Sequence, residues 1–246
     1  MRPVVGVDGC RAGWFAVALD GHGGWELEVF SGFAELWEEH RGAAHVFVDM
    51  PIGLVGGESM ERACDREARR LLGSPRGTSV FPPPCRAALA ASDHAEANRI
   101  NRNQTGRGLS IQSWGILPRI LEVDRVLRTR PETRHVVREV HPELLFWALN
   151  GEGSMVHRKK RREGFEERLA VLRRTNRLSD MIAEEALGRW LRKEVARDDI
   201  LDALVAAVSA ELGREGYKTV PKNPPTDALG LPMEIVYVRP DPDRSR

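Results

Sequence analysis

The feature that most constrains this chain is a carboxylate at the end of an apolar strand. Residues 4–8 read Val-Val-Gly-Val-Asp and stop at Gly9, the pattern of a short buried strand. An acid there loses hydration unless it is paired, hydrogen-bonded or bound to a cation, so the fold has to bring it a partner. Two further strand patterns follow at 14–19 and 25–30, joined by a glycine-rich hairpin connection, Asp20-Gly21-His22-Gly23-Gly24. Ser31 has the chemistry of an N-cap for a helix through about His40, with Phe33, Leu36 and Trp37 at helical spacing. Residues 45–48 form a fourth strand pattern ending at Asp49-Met50-Pro51. Three strands joined by hairpins, a helix and then a strand predict an α/β sheet with an antiparallel side and a parallel side.

The next stretch, about 51–134, reads as a helical insertion. It holds a charged helix at 59–72, a Gly/Pro loop at 73–86 containing Phe81-Pro82-Pro83-Pro84, and a helix over 110–127. The proline run reads as a rigid polyproline wall. Strand character resumes at 134–141 with Val136, Val137 and Val140, and helices are expected at 143–149, 165–174, 179–191 and 198–213. Residues 235–238 suit a short edge strand and 239–246 a mobile tail, giving a single domain over 1–238. With 246 residues, 41% of them hydrophobic, the chain can bury a substantial core. Its 37 Lys and Arg against 36 Asp and Glu exclude a nucleic-acid binder recognisable from overall charge alone. No apolar run of about 18 residues is present, so no membrane-spanning helix is expected. Asp8 and Arg11 fall too early for a secretory leader. Cys10, Cys64 and Cys85 are odd in number and lack zinc-type spacing, which fits the reducing cytoplasm.

In open α/β sheets ligands bind beyond the carboxyl ends of the strands. Asp8 and Asp49 end the first and fourth strands, and Glu139 lies near the end of the fifth. A shared site explains three such acids better than three separate turn caps do. Asp199 and Asp202 add an i, i+3 pair, about 5–6 Å apart at Cβ on one helical face. Asp198 and Asp199 alone are explained as well by an N-cap and the helix dipole. Asp202 lies deeper, in an apolar helix, where like charges call for a cation. Hard oxygen donors favour Mg²⁺ or Mn²⁺ over zinc.

Six ordered motifs carry a resemblance: Val-Asp-Gly-Cys-Arg-Ala-Gly-Trp at 7–14, Val-Asp-Met-Pro-Ile-Gly-Leu at 48–54, Ser-Val-Phe-Pro-Pro-Pro at 79–84, Leu-Ser-Ile-Gln-Ser-Trp at 109–114, Arg-Glu-Val-His-Pro-Glu at 138–143 and Asp-Asp-Ile-Leu-Asp-Ala-Leu at 198–204. Together they resemble the domain of unknown function 429 family, described as predicted ribonuclease H-like nucleases. The resemblance implies a ribonuclease H-like fold: a five-stranded mixed sheet, its first three strands antiparallel, with helices on its faces. It also implies Asp8 as the central metal ligand and Asp49 as the acid of the fourth strand. Asp199 and Asp202, followed by Ala-Leu, resemble the paired acids of the final helix in Holliday-junction resolvases. Glu139 and the long insertion depart from the minimal pattern, and the insertion could act as a lid or select the substrate.

The expected function is therefore a nuclease cleaving phosphodiester bonds of structured or hybrid nucleic acid. Two Mg²⁺ or Mn²⁺ ions would be bridged by Asp8, with Asp49 or Glu139 and Asp199 or Asp202 completing the shells. Phosphate contacts are expected from Arg11, Lys159 and Lys160. Residues 157–177 hold nine Lys and Arg against three Glu, though a solvated loop leading into a helix explains such a run equally. A non-catalytic nucleic-acid-binding module and a hydrolase of small phosphoesters are the alternatives. His141 reads as a core histidine in a turn, with a catalytic role as the second option. Cys10 reads as a small buried residue, and Trp114, Trp147 and Trp190 as core.

Overall fold

Alternating β-branched and aromatic residues give β1 (Val4–Cys10), β2 (Gly13–Leu19) and β3 (Trp25–Phe30), followed by α1 (Phe33–His40) and β4 (His45–Val48). The computed structural model describes residues 1–240. Between β4 and β5 (Val137–Glu139) lie α2 (Ala63–Leu72), α3 (His94–Thr105), α4 (Ile111–Gly115) and α5 (Leu117–Thr129). After β5 come α6 (Pro142–Leu149), α7 (Arg162–Thr175), α8 (Ser179–Arg189) and α9 (Arg197–Leu212), then β6 (Lys218–Val220) and β7 (Ile235–Tyr237). The main sheet has the order β3-β2-β1-β4-β5. β3, β2 and β1 pair antiparallel, whereas β4 and β5 run parallel to β1. A five-stranded mixed sheet flanked by helices is thus present, and it is compatible with a ribonuclease H-like fold.

Several boundaries differ from the sequence reading for local reasons. The helix expected at 59–72 starts only at Ala63. The helix expected at 110–127 is two, because Pro118 lacks an amide hydrogen and so sits in the first turn of a new helix. Ser31 is not the N-cap of α1; its hydroxyl instead bonds Glu35, and Gly32 holds the cap position. α3 was not anticipated, although Asp93 accepts from the Glu96 amide and Glu96 reaches back to Ser92, a capping signature. The strand expected at 134–141 shrinks to three residues behind a 3₁₀ turn, Pro131–His135. β7 pairs with β6 in a separate two-stranded sheet and does not edge the main one. Arg239, assigned to a mobile tail, pairs with Glu152 at 2.7 Å and lies over the rings of Trp147 and Tyr237. The rest of that tail, 241–246, falls outside the described residues.

The pleat of the sheet separates two cores. Val4, Phe47 and Val140 pack with α2, α6, α7 and α9. Val5, Val7, Val46, Val48 and Val137 pack on the other face with α1 and α5. The segment between β4 and β5 therefore supplies core to both faces, and α5 is a structural layer where a lid was entertained. Trp147 lies in the first core, and Trp114 and Trp190 pack against it, as expected. The three cysteines are buried and free. Among the described residues, no helix is long and apolar enough to cross a membrane.

The tightest point in the fold is Gly6. A Cβ on it would stand 2.0 Å from the Ala207 nitrogen and 2.1 Å from the Ala203 oxygen, so the backbone of α9 rests directly on β1. Gly6→Ala should destabilise the fold by about 1–3 kcal/mol or more, read as a lower urea midpoint with an unchanged slope.

Burial above all holds His40 and His45 below the ordinary histidine pKa. The unfolded chain then takes up protons that the folded one refuses, so their contribution is complete above about pH 6.5 and is lost as pH falls below it. Measured from about pH 7.5 down to about pH 5.5, the unfolding free energy of the wild-type chain should fall relative to that of His40→Phe, which isolates the histidine from the buried acids.

Candidate functional site

Strand register decides which acids meet. Val7 pairs with Val48, and the Asp49 amide continues the ladder to the Val7 carbonyl at 3.0 Å, so Asp8 and Asp49 end adjacent parallel strands at the same level. α9, seated on Gly6, brings Asp202 over that edge. Carboxylate oxygens of Asp8, Asp49 and Asp202 all lie within 4.8 Å of one another. Asp8 and Asp202 are only 8% and 2% exposed.

Glu139 does not join them. It pairs with Val48, not Asp49, and the residue level with Asp49 is Val140, whose amide bonds the Val48 carbonyl at 3.0 Å. One residue of register turns the Glu139 side chain away from the Asp8, Asp49 and Asp202 carboxylates, although it lines the same cavity. There it meets Arg62, 2% exposed, whose guanidinium donates to both Glu139 oxygens at 2.7 Å and to both Asp65 oxygens at 2.6 and 3.0 Å. The Ile52 amide adds a third donor to Glu139 at 2.6 Å, which fastens the chain just after Asp49.

Asp199 is also engaged elsewhere. Its carboxylate accepts from the Ala196 amide at 2.9 Å, closing the first turn of α9, so the capping explanation describes this residue. Lys159 enters the cluster from the segment before α7, with Nζ 2.6 Å from Asp202 and 3.9 Å from Asp198. Lys160 lines the same cavity. Arg11 sits exposed in the β1–β2 turn and is not among the cavity residues; Arg119 takes the place next to Gly9.

These groups surround a cavity of about 850 Å³. Asp8, Asp49 and Glu139 lie at the strand ends, Arg76, Arg119, Arg158, Lys160 and Arg161 contribute cationic groups, and Val80, Phe81 and Ile116 form an apolar wall. The family model described as "Protein of unknown function (DUF429)" matches residues 6–226. The chain belongs to this family. No curated protein and no solved structure matches it at a significant level.

In this DUF429 member the acids repel one another in a dehydrated space. Burial first, then Asp49 and Asp202, raises Asp8 well above the carboxylate range. Asp49 is pushed up to about 8 by burial and by Asp202. Asp202 is raised by burial against the opposing pull of Lys159. Asp202 in turn raises Lys159 and keeps it charged. Burial lifts Glu139 to about 7 in spite of Arg62, and Asp199 to about 6 in spite of its backbone donor. His141 is lowered by burial; its Nε2 faces the Ser79 carbonyl at 3.4 Å and its Nδ1 has no partner.

The donor set suits a hard divalent cation. Oxygens around Mg²⁺ at about 2.1 Å stand at most about 4.2 Å apart, so a small contraction of the three carboxylates would close on one. Arg62, Arg76 and Arg119 escaped the sequence reading. Arg62 precedes α2 in a polar run, where nothing local marks it as buried. Arg119 falls on the polar side of α5, yet donates to the Gly13 carbonyl at 2.8 Å and to that of Cys10, and so clamps the β1–β2 turn.

Removing Arg62 would strand two buried carboxylates. Arg62→Met should cost about 3–5 kcal/mol in chemical unfolding, far more than loss of an exposed ion pair such as Arg41–Glu38.

Proposed function

We propose that this protein is a metal-dependent hydrolase of phosphodiester bonds in nucleic acid. The observation that carries the reading is the convergence of Asp8, Asp49 and Asp202 from two strands and a helix, with Asp8 and Asp49 opening into a cavity also lined by several Arg and Lys side chains. Three clustered carboxylates, of which Asp8 and Asp202 are buried, repel one another more than the single ammonium of Lys159 offsets, and a divalent cation is the simplest group that keeps them charged. When bound, Mg²⁺ or Mn²⁺ would polarise the phosphate and acidify a water. Asp8, Asp49 and Asp202 would hold the ion. Glu139 acts at one remove: with Arg62 it fixes the loop after Asp49 and so orients that carboxylate.

Lys160, Arg158 and Arg161 line the cavity where the substrate backbone would enter, and they supply the charge that phosphates require. The Phe81 ring, 38% exposed, offers a face for an unstacked base. A second reading, hydrolysis of small phosphoesters, is favoured by the cavity volume, which lies in the range of small-molecule sites. Three free buried cysteines favour a reducing compartment such as the cytoplasm.

Labelled single-stranded, branched and RNA–DNA hybrid oligonucleotides, incubated at low salt with Mn²⁺ or Mg²⁺, should be cut. Cleavage should vanish with chelator and fall to background in Asp8→Asn. Lys160→Ala should weaken binding alike for all sequences and lower the salt slope by about one phosphate contact. Hydrolysis of bis(p-nitrophenyl) phosphate without cleavage of any oligonucleotide would move the assignment to small phosphoesters. If neither substrate is cut, the hydrolase reading fails.

A further inference from the structure

We infer that Lys159 is a built-in cation of this site, standing where a second metal ion would stand, so that the protein binds one divalent ion per chain. The inference rests on the reading of Asp8, Asp49 and Asp202 as cation ligands. Holding and bridging two ions calls for about four carboxylates from separate elements. Five were available in the sequence, but both Glu139 oxygens are taken by Arg62 and Asp199 accepts from the Ala196 amide in the first turn of α9. Three remain, and the ammonium of Lys159 lies 2.6 Å from one of them. With Asp198, 3.9 Å from the same ammonium, the four carboxylates and Lys159 carry a net charge of −3, so one divalent ion leaves −1 and two leave +1. Two ions would leave a buried excess of positive charge before any substrate arrived.

The backbone around Lys159 is built to hold it there. On its N-terminal side, Arg76 donates to the Met155 and Val156 carbonyls at 2.6 and 2.7 Å. Glu167 accepts from the Val156 and His157 amides at 2.7 and 2.8 Å. Arg168, 1% exposed and paired with the buried Glu143, donates to the carbonyls of His157 and Gly164 at 3.2 and 3.0 Å. On the C-terminal side, the Arg161 amide returns to the Arg158 carbonyl at 2.9 Å. α7 packs so closely that a Cβ on Gly164 would lie 2.1 Å from the Arg158 oxygen and 3.1 Å from the Lys159 nitrogen. A lysine in a solvated basic run needs none of these restraints. A lysine serving as a fixed charge needs its main chain held, because its own stem is flexible.

The test is a count of ions, made without substrate. Mn²⁺ titrated calorimetrically into the full chain, with equilibrium dialysis as a second measure, should give one ion per chain. Lys159→Met keeps the aliphatic stem, and it should admit a second ion, giving two per chain with an unchanged far-ultraviolet circular dichroism spectrum. Lys159→Gln is the second variant, should the first not fold. Two ions bound by the wild-type chain, or a count still at one in the folded variant, would overturn the inference and leave the hydrolase reading standing. No ion bound by the wild-type chain would remove both. The cleavage assay is a separate readout, so failure of the reaction and failure of the ion count are told apart.

Discussion

The contact of α9 with Gly6 organises everything else in this molecule. A helix that reaches a strand backbone to backbone cannot slide or rotate without collision, because no side chain lies between them to repack. That contact fixes Asp202, one residue before Ala203, relative to Asp8, two residues beyond Gly6. It also sets how the remaining helices of that face must stack, since α6, α7 and α8 all lean on α9 in the same core. A pair of carboxylates that repel each other at close range stays together because an interaction with no room to yield holds their backbones.

The second organising theme is how the protein handles charge away from water. Arg62, Arg168 and Lys159 each sit among carboxylates, and each also fastens, or is carried by, a loop at the rim of the cavity. Buried ion pairs are weak contributors to stability when weighed against apolar replacements, yet severe when broken. Their value here is positional: Arg62 ties Glu139 to the carbonyls of Ile52 and Gly53, and Arg168 ties Glu143 to the His157 carbonyl.

Much of the fold could be read from the sequence because its signals are local. β-branched runs, a glycine hairpin and an apolar final helix specify β1 to β4 and α9 almost to the residue. Asp8, Asp49 and Asp202 were legible for the same reason, since an acid at the end of an apolar element has few structural excuses. The pairing of Glu139 with Arg62 was not legible, because it depends on the register with Val48, a long-range feature that residues 134–141 do not encode by themselves. Asp199 had a capping explanation in sequence that Asp202 lacked, and the bond from the Ala196 amide to Asp199 in the first helical turn accords with that difference. Arg62 and Arg119 were invisible because a charged residue is presumed solvated until its tertiary partners are known. Lys159 was found through a charge run, a feature that says nothing about which single amine turns inward.

The dependence on α9 also has a consequence for the order of assembly. Asp8 and Asp49 leave the ribosome early, whereas Lys159 and Asp202 emerge after most of the chain has been made, and Gly6 has no helix to seat until then. Domains fold as units once their sequence is complete. The growing polypeptide therefore carries two isolated carboxylates for most of its synthesis. The cluster comes into being only when the last long helix closes over the first strand, so the nascent chain is spared the mutual repulsion of its carboxylates by topology alone.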